Sequence, residues 1–123
     1  MLVDSNILIY ALKPDGKKLL TFLFNRMPAV SAITYVEVLG TTKLSMENAD
    51  LIRRMFTRLS ILPLDQPVLE QAIVLRQQRK MGLGDALIAA TALVHSRTLV
   101  TRNTADFAWV NGLRLLDPFL SGE

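Results

Sequence analysis

Four acidic side chains in this 123-residue sequence stand where carboxylates can do chemistry: Asp4, Glu37, Asp85 and Asp106. Each lies beside a short apolar run. Asp4 closes Met1-Leu2-Val3, Glu37 sits between Val36 and Val38, Asp85 precedes Ala86-Leu87-Ile88-Ala89-Ala90, and Asp106 follows soon after Leu99-Val100. Carboxylates brought together without basic partners raise one another's pKa or demand a counterion. A hard, oxygen-seeking divalent cation, Mg²⁺ or Mn²⁺, answers that demand. Other chemistries are closed off by composition: there is no Cys for thiolate or disulfide chemistry, and a single His, His95, provides no pair for acid–base cleavage. His95 falls at the end of a helical run, where an imidazole suits the helix dipole.

The elements that would position these acids follow from the pattern. Met1 to Val3 is a short apolar strand, and Asp4-Ser5-Asn6 are cap and turn formers ahead of the helical run Ile7 to Leu12. Pro14-Asp15-Gly16 is a turn, Lys17 to Arg26 a helix, Pro28 to Ala32 a second strand, and Ser31 or Thr34 can cap the helix that carries Glu37. Ser45 opens a helix to about Leu59 with a partial capping box to Asn48. Ile61 to Asp65 reads as a strand, short and near an edge because it contains Pro63. Gln66 to Lys80 is a helix with Pro67 in its first turn and Val68, Leu69, Ala72, Ile73 and Leu75 directed inward. Met81 to Arg97 is apolar nearly all round, the signature of a buried helix, which Gly84 or Asp85 can open. Thr98 to Thr101 and Leu113 to Leu116 complete the strands.

Strands alternating with helices in one short chain predict an α/β fold of a single domain, 1–123, with a mostly parallel sheet of four or five short strands covered on both faces. In such a sheet the strand carboxyl ends share one rim, so acids after strands one, two and four can converge there.

The formal charge is +3, from 14 basic and 11 acidic residues. Setting the four acids aside leaves 14 against seven, about +7, a basic skin around an acidic hole that suits a polyanion held at its backbone. Arg76, Arg79, Lys80 and Arg102 flank the acid segments and could contact phosphate; by default Arg76 to Lys80 only complement a helix C-terminus. Phe22, Phe24, Phe107 and Trp109 read as core or interface. Half of the residues are apolar, enough to suggest that a partner covers some apolar surface. No uncharged run reaches the roughly 18 residues of a membrane helix, and the first residues lack the basic segment of a secretory signal. With no Cys, the expectation is a cytoplasmic protein.

Val3-Asp4-Ser5-Asn6, Thr34-Tyr35-Val36-Glu37, Gly84-Asp85-Ala86-Leu87-Ile88-Ala89-Ala90-Thr91-Ala92 and Val100-Thr101-Arg102-Asn103-Thr104-Ala105-Asp106-Phe107 resemble, in order, the motifs of PIN-domain ribonucleases, and within them the VapC toxins of toxin–antitoxin pairs. The resemblance runs from Leu2 to about Leu116. It implies a Mg²⁺- or Mn²⁺-dependent endoribonuclease that hydrolyses RNA with metal-activated water and leaves a 5′-phosphate. Asp4 and Asp85 match the family's core metal-binding aspartates, and Glu37 its helical glutamate, which can hold metal through water. Asp106 matches the acid of the Asn-x-x-Asp-Phe segment, a role that varies in the family with the position of Asn103. Asn6 and Thr101 match donors that orient carboxylates. The resemblance further implies a homodimer and an antitoxin protein whose C-terminal segment covers the acid pocket. Two other readings are weighed. A phosphoacceptor receiver domain needs paired acids after strand one and a Lys after strand five, whereas this chain has Asp4-Ser5-Asn6 and no Lys beyond Lys80. A catalytically silent PIN domain that binds RNA or protein would be signalled by loss of one acid, and all four are present.

Overall fold

The computed structural model describes residues 1–41 and 45–120. Five parallel strands form one sheet in the order β3-β2-β1-β4-β5. They are β1 (Leu2–Val3), β2 (Ala29–Ser31), β3 (Ser60–Leu62), β4 (Leu99–Val100) and β5 (Leu115–Leu116). Parallel pairing needs crossovers, and helices supply them: α1 (Ser5–Ala11), α2 (Lys17–Arg26), α3 (Ala32–Leu39), α4 (Met46–Phe56), α5 (Gln66–Gln78), α6 (Leu83–Val94) and α7 (Thr104–Phe107). The expected mostly parallel sheet is thus wholly parallel.

Two-residue strands hold because their side chains alternate between two cores. Leu2, Ala29 and Leu99, paired in register, face α5, α6 and α7, joined by Leu115. Val3, Val30 and Val100 face the opposite side, with Leu116, against α1, α2 and α4 and Val38 of α3. A one-residue slip would exchange the two rows and misfit both cores. α6 forms the centre of the first core, with Ala86 to Ala92 all buried. Its one polar member there, Thr91, is satisfied by the Leu87 carbonyl at 2.6 Å and by the Ser31 hydroxyl at 2.9 Å.

The structure corrects several expected boundaries. Gly82, rather than Gly84 or Asp85, caps α6, leaving Asp85 as its third residue, and the helix ends at Val94 with His95 as its C-cap. Pro63 lies just beyond β3, an edge strand as expected. Asp65 caps α5 by accepting from the Val68 N–H at 3.3 Å. On α5 the buried stripe is Val68, Ala72 and Leu75, spaced by four and three; Leu69 and Ile73 lie about one residue's rotation away and are 40% and 49% exposed. They are not core. The four-residue α7 has no apolar period to announce it. Among the described residues no helix is long and apolar enough to cross a membrane.

Strand order places the site. The chain builds β2 and β3 on one side of β1, then β4 and β5 on the other. Loops that leave neighbouring strands β1 and β4 in opposite directions open a crevice at their carboxyl ends. Asp4 follows β1 there, and Thr101 follows β4.

Candidate active site

Asp4 is the floor of this crevice, with 4% of its surface exposed. Thr101, fully buried on the adjacent strand end, donates its hydroxyl to Asp4 Oδ2 at 2.9 Å, and the Asn103 N–H in turn donates to Thr101 Oγ1 at 3.0 Å. Burial lifts the Asp4 carboxyl above its ordinary range, against the Thr101 hydroxyl and the N–H groups of Ser5 and Asn6, which favour the ionised form; Glu37 adds an upward push. Neither N–H makes a capping hydrogen bond of ordinary geometry.

Asp85, half-buried in the first turn of α6, is also raised, first by burial and then by the charges of Asp4 and Asp106. The positive end of α6 works in the other direction. Glu37 is exposed on α3, and two contacts hold it. The Ser5 hydroxyl donates to Oε1 at 2.7 Å, and Oε2 lies where a side chain on Gly84 would be. Gly84 is therefore the position at which α6 leaves room for the carboxylate, one residue before Asp85. Asp106, exposed on α7, shares a cleft of about 250 Å³ with Asp85, Arg79, Lys80 and Trp109. The acids thus grade from buried Asp4 through Asp85 to exposed Glu37 and Asp106.

The other expected residues divide. Thr101 orients Asp4 directly. Asn103 contributes its backbone N–H, while its side chain and that of Asn6 line a second cleft with Arg102. Arg79, over the Trp109 ring at 5.3 Å, and Lys80 border the acid cleft. Arg76 borders neither; its Nε donates to the Met81 carbonyl at 3.4 Å and ties the end of α5 to the loop before α6. Ser5 and Gly84 go beyond the sequence reading, which took Ser5 for a turn former and Gly84 for a cap. Ser5 is 8% exposed, and its position beside Asp4 in a strand-to-helix turn is the only trace of its role in the sequence. His95 has its buried Nε2 without a hydrogen-bond partner among the described residues and lies at the far end of α6 from Asp85.

The donor set fits a hard divalent cation. It is all oxygen, and the charges that raise Asp4 and Asp85 come from other acids, with Arg79 and Lys80 at the border of the cleft that Asp85 shares with Asp106. As the side chains stand, no three acidic or imidazole groups among the described residues meet at one coordination point. Chelation by more than two acids would draw Glu37 or Asp106 inward, which their exposure permits.

Residues 1–112 match the PIN domain family. The chain is 29% identical over 126 residues to the tRNA(fMet)-specific endonuclease VapC of Shigella flexneri, covering 94% of this chain and 96% of that protein. Among solved structures, a toxin–antitoxin complex from Klebsiella pneumoniae is 34% identical, with TM-score 0.74 over 95% of this chain and 96% of the other. FitAcB of Neisseria gonorrhoeae is 25% identical, with TM-score 0.78 over 96% and 97%.

Proposed function

Since the chain belongs to the PIN-domain family and resembles the VapC type within it, we propose that it is a Mg²⁺- or Mn²⁺-dependent endoribonuclease, the toxin of a toxin–antitoxin pair. The observation that carries the reading is the electrostatics of Asp85. Its carboxyl, in one cleft with Asp106, is raised first by burial and then by the charges of Asp4 and Asp106. Such an arrangement costs free energy in the empty fold and is relieved by a cation.

Asp4 and Asp85 would hold the ion directly, with Asp106 or Glu37 completing its shell, Glu37 through water. When bound, the ion supplies a Lewis acid that activates water toward a phosphodiester and offsets the charge developing on it. The chain's own part is positional. Thr101 fixes which Asp4 oxygen faces the crevice, Ser5 and Gly84 fix Glu37 beside the α6 N-terminus, and the carboxylates can accept a proton from the attacking water. No side chain need act as a nucleophile, consistent with the lack of Cys.

Support for the partners is of two kinds. The Klebsiella relative is a toxin–antitoxin complex, and the Shigella relative is an endonuclease for tRNA(fMet). By likeness, RNA is the substrate here and an antitoxin protein the partner. Leu69 and Ile73, one turn apart on the outer side of α5, and Val36, 66% exposed on α3, provide apolar surface for a homodimer or the antitoxin.

The deciding experiment incubates purified protein with RNA in Mg²⁺ or Mn²⁺, with and without chelator, beside Asp85→Asn. Cleavage that needs the ion and is lost in the variant is expected. Equal cleavage by the variant or by the chelated protein refutes the mechanism.

A further inference from the structure

The second cleft, about 440 Å³, is lined by Asn6, Ile9, Tyr10, Lys13, Arg102 and Asn103. It adjoins the acids through the chain itself: Asn6 is two residues from Asp4, and Asn103 two from the Thr101 that bonds Asp4. Two cations are mounted in it on aromatic rings. The Arg102 guanidinium lies 5.0 Å from the Tyr10 ring centre and 4.4 Å from that of Phe119, and the Lys13 ammonium lies 4.9 Å from Tyr10. Tyr10 and Phe119 brace each other edge to face at 5.0 Å. Neither cation has a carboxylate partner among the described residues.

A surface Arg or Lys usually remains free in water or pairs with an acid. A ring face restricts the side chain without neutralising it, so the full positive charge stays available to an incoming anion. Held beside an acidic crevice, such cations cannot serve the cation site. They suit the phosphate that precedes or follows the one under attack.

We propose that this cleft is a phosphate seat for single-stranded RNA, in which Lys13 and Arg102 grip a backbone phosphate adjoining the scissile one and Phe119 keeps Arg102 in place. The seat rests on the ribonuclease reading of the acids. It extends that reading by fixing the path of the strand over α1, with Asn6 and Asn103 amides offering hydrogen bonds to the same nucleotide.

The test measures binding rather than cleavage. In an Asp85→Asn background the full chain is titrated with a short single-stranded RNA, across a range of salt, by fluorescence anisotropy. Lys13→Gln and Arg102→Gln should each weaken binding by about three- to tenfold and reduce the slope of log affinity against log salt by about 0.7. Phe119→Leu, which removes a ring and no charge, should weaken binding with the slope unchanged. The same RNA with uncharged methylphosphonate linkages should bind all forms alike. Unchanged affinity and slope in the Lys13→Gln/Arg102→Gln double variant overturn the proposal, as does loss of binding to an acidic peptide with RNA binding intact, which would give the cleft to a protein partner. Should Arg102→Gln disturb folding, exposed Lys13→Gln alone carries the comparison. Wild-type protein that cleaves RNA in Mn²⁺ while the double variant binds normally refutes the seat only; protein that neither binds nor cleaves RNA refutes the ribonuclease reading itself.

Discussion

Gly84→Ala separates site geometry from fold stability in one substitution. The added Cβ would overlap Glu37 Oε2 and stand 3.1 Å from Glu37 Cδ, and it meets no other group so closely. Because Glu37 is exposed, its carboxylate can swing away, at the cost of the 2.7 Å bond from Ser5. In a partly exposed site that bond contributes about 1 kcal/mol. Against this, Ala in place of Gly favours a helix by up to about 1 kcal/mol, less in the first turn, where Gly84 lies. The two terms nearly cancel, so the melting temperature should move by less than about 5 °C. Metal affinity should behave differently, since displacing a carboxylate that supports a metal site costs about 10- to 100-fold. Isothermal titration with Mn²⁺ beside a thermal melt reads both quantities. Glu37→Asp in the Gly84→Ala background withdraws the carboxylate by one methylene and should recover part of the affinity. Wild-type Mn²⁺ affinity in Gly84→Ala would refute the reasoning, and so would an affinity loss accompanied by a collapse in melting temperature.

Three further outcomes follow from the same charges. Asp4 and Asp85 are both raised, so in the ion-free protein the stability their protonation contributes is present at acid pH and lost as pH rises through the raised values; melts across pH should show this decline, and saturating Mn²⁺ should flatten it. Asp4→Asn removes the buried charge while leaving an acceptor for Thr101; the ion-free protein should then melt higher at neutral pH than wild type, and the melting rise given by Mn²⁺ should largely disappear. A lower ion-free melting temperature in Asp4→Asn would contradict the charge accounting. Thr101→Val takes the Thr101 hydroxyl from Asp4 and should cost about 1–3 kcal/mol in denaturant unfolding, with Thr101→Ser recovering most of it.

The sequence carried the parts of the site that depend on chain position, and lost those that depend on side-chain reach. Asp4 and Thr101 are 97 residues apart, yet their contact follows from two short apolar strands in parallel register, because residues just past paired strand ends must be neighbours. Apolar runs and strand ends are local signals, so the α/β class and the place of Asp4 and Thr101 at adjacent strand ends were legible. Ser5 gave no such signal. A Ser in a turn satisfies its own backbone in most proteins, and only the approach of α3 turns its hydroxyl to Glu37. Gly84 misled for the same reason: a Gly before a helical run reads as a cap, whereas here a carboxylate from another helix needs the space. Leu69 and Ile73 show the limit of apolar periodicity, which gives the width of a stripe and not how much of it the sheet covers.

The gradient of exposure among the four acids also constrains how an ion can enter. Asp4 cannot move, since its backbone continues a strand buried on both faces and Thr101 holds one oxygen. Asp85 is fixed in direction by the first turn of α6. Glu37 and Asp106 are the exposed pair, and only they can rearrange without disturbing a core. On the proposed reading, Asp4 and Asp85 would hold an ion and the exposed Glu37 and Asp106 would complete its shell, so affinity should depend on all four while ion-free stability depends chiefly on Asp4 and Asp85. Alanine at Asp106 tests the division directly: it should weaken Mn²⁺ binding with almost no change in the ion-free melt, because an exposed carboxylate contributes little to the fold. A large loss of ion-free stability in Asp106→Ala would mean that α7, and not the cation, is what this acid serves.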